Sequence, residues 1–353
     1  MVKIKLGFVG VGYMGQLAHL SNYAVIDDCE VVAIAEPRKE LANAVAHRYG
    51  INRIYSNHEE LLEKCDVDAI VASQPYRRHA VLIPDILKAK KPVFTEKPLS
   101  LSAEVGENLA RLAKENGVLY MVGYHKRSDP AMEYAKRLIN EWKASGEFGK
   151  MRLVRVIMPP GDWVGGATGF INTGEKVPPG EIEPLPTYFD EATGRLYDGF
   201  VNYYIHQVNA MRFVLGESYT ITFADRSGVL LVVESKSGVC GTIEMAPYQT
   251  SIDWQERVFV GFERGYIDVQ LPPPLARQQA GHVTVMCDNG KSIPVITSPI
   301  LPRVSAMQQQ AKNFVAAVRG DRPAPCEAKE AVEDLKIARR YIELFKKGKG
   351  LTP

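Results

Sequence analysis

The sequence predicts an α/β chain in two parts: an N-terminal Rossmann domain, a doubly wound parallel sheet, over 1–124, and a C-terminal α+β domain on a large, mostly antiparallel sheet over 125–353. Three observations predict it. Up to residue 124, short apolar runs alternate with longer amphipathic segments, the order of βαβ units. A Gly-x-Gly-x-x-Gly loop follows the first of these runs directly. Farther on, strand-like runs dominate, and tight-turn sequences join several of them. At 353 residues the chain is also longer than one core usually serves.

In the first part the runs Ile4–Val9, Val31–Ala35, Ala69–Ala72, Val93–Thr95 and Leu119–Val122 are short and nearly continuous in apolarity, as strands covered on both faces should be. Helical patterns fill Met14–Ile26, Arg38–Tyr49, His79–Ala89 and Ser102–Asn116 between them. A helix around Pro130–Ala144 leads into the second part. Strands are expected there at Arg152–Met158, Thr220–Ala224, Val229–Glu234, Val239–Met245, Arg257–Phe262, Tyr266–Gln270, Val283–Cys287 and Ser292–Ile296. The turns "SKSG" at 235–238, "ERG" at 263–265 and "DNG" at 288–290 make neighbours antiparallel hairpins. A helix near 197–214 should pack on this sheet. Val304–Arg319 and Glu327–Lys346 read as closing helices, able to pack back on the Rossmann domain. Pro159–Thr193 is rich in proline and glycine and has no periodicity, so a lid or a partner-subunit arm is expected there.

Composition bounds the function. Hydrophobic residues at 46% and charged residues at 24% are ordinary for a globular enzyme. A net charge of +2 without a basic cluster argues against nucleic acid, and the run 346–350 reads as a solvated tail. The five scattered cysteines read as free thiols in a reducing compartment. The histidines lack zinc spacing, so no metal is expected. The apolar start is too short for a signal peptide, and no run of 18 apolar residues offers a membrane span, so the cytoplasm is the expected location.

The loop Gly10-Val-Gly12-Tyr13-Met14-Gly15, between a strand and a helix, predicts a dinucleotide site. Gly10 allows the tight turn, Gly12 lets a pyrophosphate reach the backbone, and Gly15 lets helix and strand approach. Glu36 ends the second strand at the distance where a carboxylate accepts from the ribose hydroxyls, which favours NAD over NADP. Arg38 pulls the other way, since an arginine there can pair with a 2′-phosphate. Lys97 follows a buried strand and precedes Pro98, at the strand end that faces the ligand crevice in doubly wound sheets. Its ammonium suits an oxygen that becomes a carbonyl; the plainer alternative is a turn lysine paired with Glu96.

A second constellation lies in "DGFVNYYIHQVN". On a helix, Asp198, Asn202 and His206 stack four apart and Asn209 continues the line, while Val201, Ile205, Val208 and Met211 face the sheet. A strip of amides and an imidazole points to a ligand rather than to solvent, where Lys and Glu are usual.

With the glycine loop, Thr95-Glu96-Lys97-Pro98, Gln74-Pro75-Tyr-Arg-Arg-His79, "GYHKR" at 123–127 and the stripe at 198–209, the whole chain resembles the Gfo/Idh/MocA family of oxidoreductases. The resemblance implies a Rossmann domain plus an antiparallel α/β domain, and NAD(P)-linked redox chemistry on sugars, cyclitols or related polyhydroxylated compounds. It implies that Tyr13, Met14, Gln74, Pro75, His79 and Glu96 join the glycines at the cofactor. His79 reads equally as a helix-face histidine packed on Tyr76 or on a strand end. It also implies that Tyr124, His125 and Arg127 border the nicotinamide and substrate; an interdomain salt bridge is an equal reading for Arg127. The family's helix offers an aspartate and, four residues later, a histidine. His206 matches the histidine, but Asn202 stands at the aspartate, so a positioning amide replaces a charge. Asp198 can partly restore that charge, and Tyr203 and Tyr204 are reserve proton carriers. Asp162 and Trp163 form a possible sugar-recognition pair of aromatic face and hydroxyl acceptor.

The expected reaction is oxidation of a secondary alcohol, with His206 as base and Lys97 and Asn202 holding the oxygen. Two further readings stay open: a redox-neutral enzyme that oxidises a sugar carbon, eliminates a substituent and returns the hydride, and a non-catalytic NAD(P)-binding regulator. A homodimer or homotetramer is expected from the wide sheet.

Overall fold

A computed structural model describes residues 2–245 and 248–348. The chain divides into two units. The first comprises 1–124, 167–187 and 307–335, and the second 125–166, 188–306 and 336–353. The change at Tyr124 falls where the sequence pattern changes. Residues 167–187 and 307–335, which the sequence assigns to the second domain, group with the first unit instead.

In the first unit, β1 (Ile4–Val9), β2 (Cys29–Ala35), β3 (Arg53–Tyr55), β4 (Ala69–Ala72), β5 (Val93–Glu96) and β6 (Tyr120–Gly123) form one parallel sheet. Its order is β3-β2-β1-β4-β5-β6. The strand direction of winding reverses between β1 and β4, and ligands of such sheets bind at that switch point, beyond the strand C-termini. β4 and β6 are buried along their whole length, which is why their sequences are unbroken apolar runs. Helix α1 (Ser21–Tyr23) continues a π-helical stretch, Gly15–Leu20, that begins at the last glycine of the loop. α2 (Lys39–Tyr49), α3 (His58–Lys64), α4 (His79–Lys88) and α5 (Ala103–Asn116) complete the crossovers. Ser102 caps α5 by accepting from Val105 N–H, and glycines in the left-handed conformation end α2 and α5 at Gly50 and Gly117. The sequence pattern missed β3 and α3. β3 is three residues long and none of it is buried, so it carries no apolar run to detect.

In the second unit, α6 (Pro130–Ser145) precedes β7 (Met151–Ile157), and α7 (Glu191–Leu215) precedes the remaining strands. These are β8 (Tyr219–Ala224), β9 (Leu230–Ser235), β10 (Cys240–Glu244), β11 (Glu256–Phe262), β12 (Gly265–Leu271), β13 (His282–Cys287) and β14 (Val295–Thr297). They form one sheet in the order β14-β13-β12-β11-β7-β10-β9-β8. Every pairing is antiparallel except β10 with β7. The three turn sequences read as hairpins join β9 to β10, β11 to β12 and β13 to β14. β14 is shorter than expected and wholly exposed. The alternating burial of β9 and β11 shows one covered face, and α6 and α7 cover it. Val201, Ile205, Val208 and Met211 of α7 are fully buried, as the helical spacing requires.

The last helices are α8 (Ala306–Arg319) and α9 (Ala328–Gly348). Ala311, Phe314 and Val315 of α8 enter the core of the first unit, where Phe314 meets Phe94 at 5.7 Å. In the second unit, Tyr341 of α9 stacks on Phe200 at 4.5 Å. Residues 349–350 of the basic tail lie outside the described residues. Among the described residues no helix is long and apolar enough to cross a membrane.

Candidate active site

The strand ends of the first unit gather most of the expected cofactor residues. Gly10 has φ +91°, and a Cβ there would come within 2.3 Å of Gln74 Nε2 and 2.5 Å of Ser73 O. Gly15 is as tightly placed: a Cβ would lie 2.6 Å from Gly10 O. Only glycine fits both positions. Beside Gly12 the nearest group is the Arg38 guanidinium, at 3.3 Å from where a Cβ would be, so the backbone is bare on that side. A bare glycine turn opening directly into a helix fits a dinucleotide pyrophosphate, because free N–H groups and the helix dipole favour negative charge. Gln74 and Pro75 follow β4 and therefore flank the switch point with this loop. Met14 is the N-cap of the π-helical stretch, and the Tyr13 ring meets Phe170 edge-on at 4.8 Å.

Glu36 is enclosed. It accepts from Val11 N–H at 3.1 Å, from Arg38 N–H at 3.2 Å and from the Arg38 guanidinium at 2.7 and 3.0 Å. The hydrogen bond to Glu36 raises the Arg38 pKa, so the guanidinium stays charged. Glu96 at the end of β5 lies 2.9 Å from His19 Nε2, a close ion-pair distance off the line of a hydrogen bond. It also accepts from Lys97 N–H at 3.2 Å. Its carboxylate therefore faces His19, which the sequence reading overlooked. The Lys97–Pro98 peptide is cis.

Residues 167–187 lie on this unit as an ordered strap, and sequence reasoning named none of its anchors. Ile171 N–H donates to Gln16 Oε1 at 2.7 Å, and Gln16 Nε2 donates back to Ile171 O at 3.0 Å. Glu175 accepts from Glu40 N–H at 3.1 Å and Leu41 N–H at 2.8 Å, at the N-terminus of α2. Buried Glu183 accepts from Leu101 N–H, Ser102 N–H and the Ser102 hydroxyl at 2.8, 2.8 and 2.6 Å, just before α5. Arg77 and Glu183 exchange a pair of bonds, each 2.7 Å. Isolated glutamates in an aperiodic segment give no signal that would have found them.

In the second unit, His125 and His206 meet edge to face with ring centroids 4.7 Å apart. Lys126, fully enclosed, forms a 2.7 Å ion pair with Glu256, which also accepts from Gln207 Nε2 at 3.0 Å. A cavity of about 10 Å³, room for one water, is lined by His125, Lys126, Asp129, Glu256 and Pro272 among others. Along α7 the polar stripe is exposed at Asn202, half-buried at Asp198 and His206, and buried at Asn209. Tyr203 hydrogen-bonds the Gly161 backbone, and burial followed by the Glu256 charge raises its pKa. The Tyr204 hydroxyl donates to Met245 O at 2.6 Å, and burial pushes its pKa up to about 12. Both tyrosines therefore give up their protons less readily than an ordinary tyrosine and stay neutral near pH 7.

Several expected site residues are engaged within the protein. His79 is fully buried, with Nδ1 3.0 Å from Leu99 O, and burial drives its imidazole down to about 4. It supports the loop after β5. Arg127 is enclosed: its Nε donates to Asn209 Oδ1 at 2.6 Å and its guanidinium covers Phe213. Asn209 accordingly leaves the ligand stripe, because that turn of α7 is covered. Asp162 uses Oδ1 to close its own turn through Val164 and Gly165 N–H, while Trp163 stays part-exposed. Tyr124 is buried.

Residues 4–124 match the family described as an oxidoreductase family with an NAD-binding Rossmann fold. The chain is 24% identical over 363 residues to scyllo-inositol 2-dehydrogenase (NAD(+)) of Bacillus subtilis, covering 98% of this chain and 95% of that protein. It is 26% identical over 243 residues to myo-inositol 2-dehydrogenase of Thermotoga maritima, 69% of this chain and 63% of that one. Among solved structures, an aldose-aldose oxidoreductase from Caulobacter crescentus complexed with glycerol superposes with a TM-score of 0.71 at 17% identity, over 98% of both chains. An oxidoreductase from Agrobacterium radiobacter in complex with NAD+, L-tartaric acid and magnesium gives 0.70 at 13% identity, over 98% of this chain and 97% of that one. At these identities the superpositions establish a shared fold. Residues 4–124 therefore match an NAD-binding oxidoreductase Rossmann sequence in a fold that sets the glycine cradle at the switch point, and nearly the whole chain is similar to an inositol dehydrogenase.

Proposed function

We propose that the protein is an NAD-dependent dehydrogenase that oxidises a secondary alcohol of a cyclitol, sugar or glycoside. The match of residues 4–124 to an NAD-binding oxidoreductase family supports the reaction class, and the inositol dehydrogenases among the similar proteins favour a polyol ring as substrate. The observation that carries the reading is the position of Lys97, at the end of β5 on the same sheet edge as the glycine cradle. The nicotinamide, when bound, supplies the hydride acceptor. Lys97 and Asn202 hold the substrate oxygen, and His206 takes its proton, the imidazole being suited to base work near neutrality. The enclosed His125 ring against His206 supports this role by fixing the plane of the base. Asn202 contributes a hydrogen bond and no charge. Glu36 favours NAD by placing a carboxylate where the adenosine ribose hydroxyls bind.

The test is a panel of inositols, sugars and glycosides incubated with the purified protein and NAD, followed by NADH absorbance. NADH formation with one class of ring polyol is the expected result. Substrate turnover without NADH, with dinucleotide retained through purification, would establish the redox-neutral reading instead. Dinucleotide binding without turnover of any panel member would leave the regulator.

A further inference from the structure

The β2–α2 corner of the first unit holds two carboxylates around one arginine. Helix α2 has eleven residues, and its first N–H groups lack intrahelical partners and carry positive partial charge. Glu175 of the 167–187 strap already fills that position, one carboxylate oxygen on Glu40 N–H and the other on Leu41 N–H. Thr173 fixes it through a 2.8 Å hydroxyl bond. Partial burial opposes ionisation of Glu175, but the bonds from Leu41, Thr173 and Glu40 outweigh it and hold the carboxyl below its usual range. Arg38 stands immediately before the helix, paired with Glu36 and within the field of Glu175.

In dinucleotide-binding Rossmann domains the carboxylate after the second strand reads the ribose 2′-hydroxyl, and a nearby arginine accommodates the 2′-phosphate of NADP. Here two groups that such a phosphate would use have resident anions: Arg38 has Glu36, and the α2 N-terminus has Glu175. The strap that delivers Glu175 is held at both sides, by the Gln16–Ile171 exchange and by Glu183.

We propose that Glu175 is a specificity-determining residue, occupying the anion position at the start of α2 and so excluding a 2′-phosphorylated dinucleotide. The inference rests on the NAD reading given above. It extends cofactor selection beyond Glu36 to a residue outside the Rossmann sequence, so selection depends on Glu175 as well as on the β2 end.

The test is calorimetric binding of NAD and NADP to the full chain, as wild type, Glu175→Gln, Glu175→Ala and Glu183→Gln. Wild type should bind NAD at least about tenfold more tightly than NADP. Each Glu175 variant should tighten NADP by about tenfold while moving the Kd for NAD by less than about threefold. Glu183→Gln, which loosens the strap without freeing the α2 N-terminus, should leave the NADP-to-NAD ratio near that of wild type. Equal wild-type affinities would overturn the NAD reading and this inference with it. A wild-type preference for NAD that both Glu175 variants retain would overturn the role of Glu175 alone. Equal changes for both dinucleotides would also overturn it, by reducing Glu175 to an anchor of the strap.

Discussion

In the first unit Glu175, Glu183 and Glu36 accept from backbone N–H groups at the ends of elements, whereas in the second the central carboxylate, Glu256, is met by a lysine side chain. Glu175 and Glu183 each close the open start of a helix or its approach, and Glu36 accepts from the Val11 loop amide as well as from Arg38. Lys126 and Glu256 instead face each other away from water, with side chains 4% and 1% exposed. The difference bears on function. A carboxylate held by backbone amides sits where an anionic ligand would sit, and a crevice lined this way selects ligands by charge. A buried side-chain pair offers no such exchange. It ties the short 3₁₀ turn His125–Ser128 to β11, directly beside the His125–His206 contact.

The sharpest way to break this contrast is to remove one partner of the buried pair. Lys126→Met leaves Glu256 enclosed and uncompensated and should destabilise the protein by about 3–5 kcal/mol in denaturant unfolding. The double change Lys126→Met/Glu256→Leu should recover most of that loss, since an apolar replacement of both charges is often neutral. Wild-type stability in the single variant would show that the pair is not the organising contact of its region.

A smaller effect separates the units by pH. His79 of the first unit has its imidazole pushed down to about 4 by burial, so between its ordinary value near 6.5 and 4 the unfolded chain binds a proton that the folded chain does not. Stability from His79 is complete above 6.5 and is lost as pH falls to 4, by about 3 kcal/mol. Asp129 of the second unit is the reverse. Burial raises its carboxyl from 3.8 to about 6, against the bonds from Ala131 and Gly281 N–H. The folded chain holds the proton in that window, so stability falls as pH rises from 3.8 to 6, again by about 3 kcal/mol. Unfolding measured from pH 4 to 6.5 should therefore show that His79→Asn and Asp129→Asn change the pH slope in opposite directions. A change of the same sign in both would refute the assignment of one neutral imidazole and one protonated carboxyl.

Much of the fold was legible because burial on both faces leaves an unbroken apolar run. β1 and β4 have the bounds that the sequence pattern indicates, and glycine-bearing turns mark the three hairpins. Residues whose role follows from backbone geometry were equally legible: Gly10 and Gly15 are required by contacts of 2.3 and 2.6 Å. Helical spacing identified the face of α7 that carries Asp198, Asn202 and His206, but not what covers each turn of it. Asn209 has the right spacing and ends on Arg127. His79 follows the expected motif and ends under Leu99. Least legible were the strap anchors, because Glu175 and Glu183 act on backbone amides more than 80 positions earlier and belong to no periodic pattern.

The central claim is that Lys97 and His206 serve a single hydride-transfer step. A double-mutant cycle on kcat with the NAD-linked polyol found by the panel tests it most directly. Lys97→Ala and His206→Ala should each lower kcat by about a hundredfold or more, and the double variant should be little slower than the worse single, as for residues that act as one unit. Losses that multiply in full, or a His206→Ala enzyme with near-normal turnover, would contradict it.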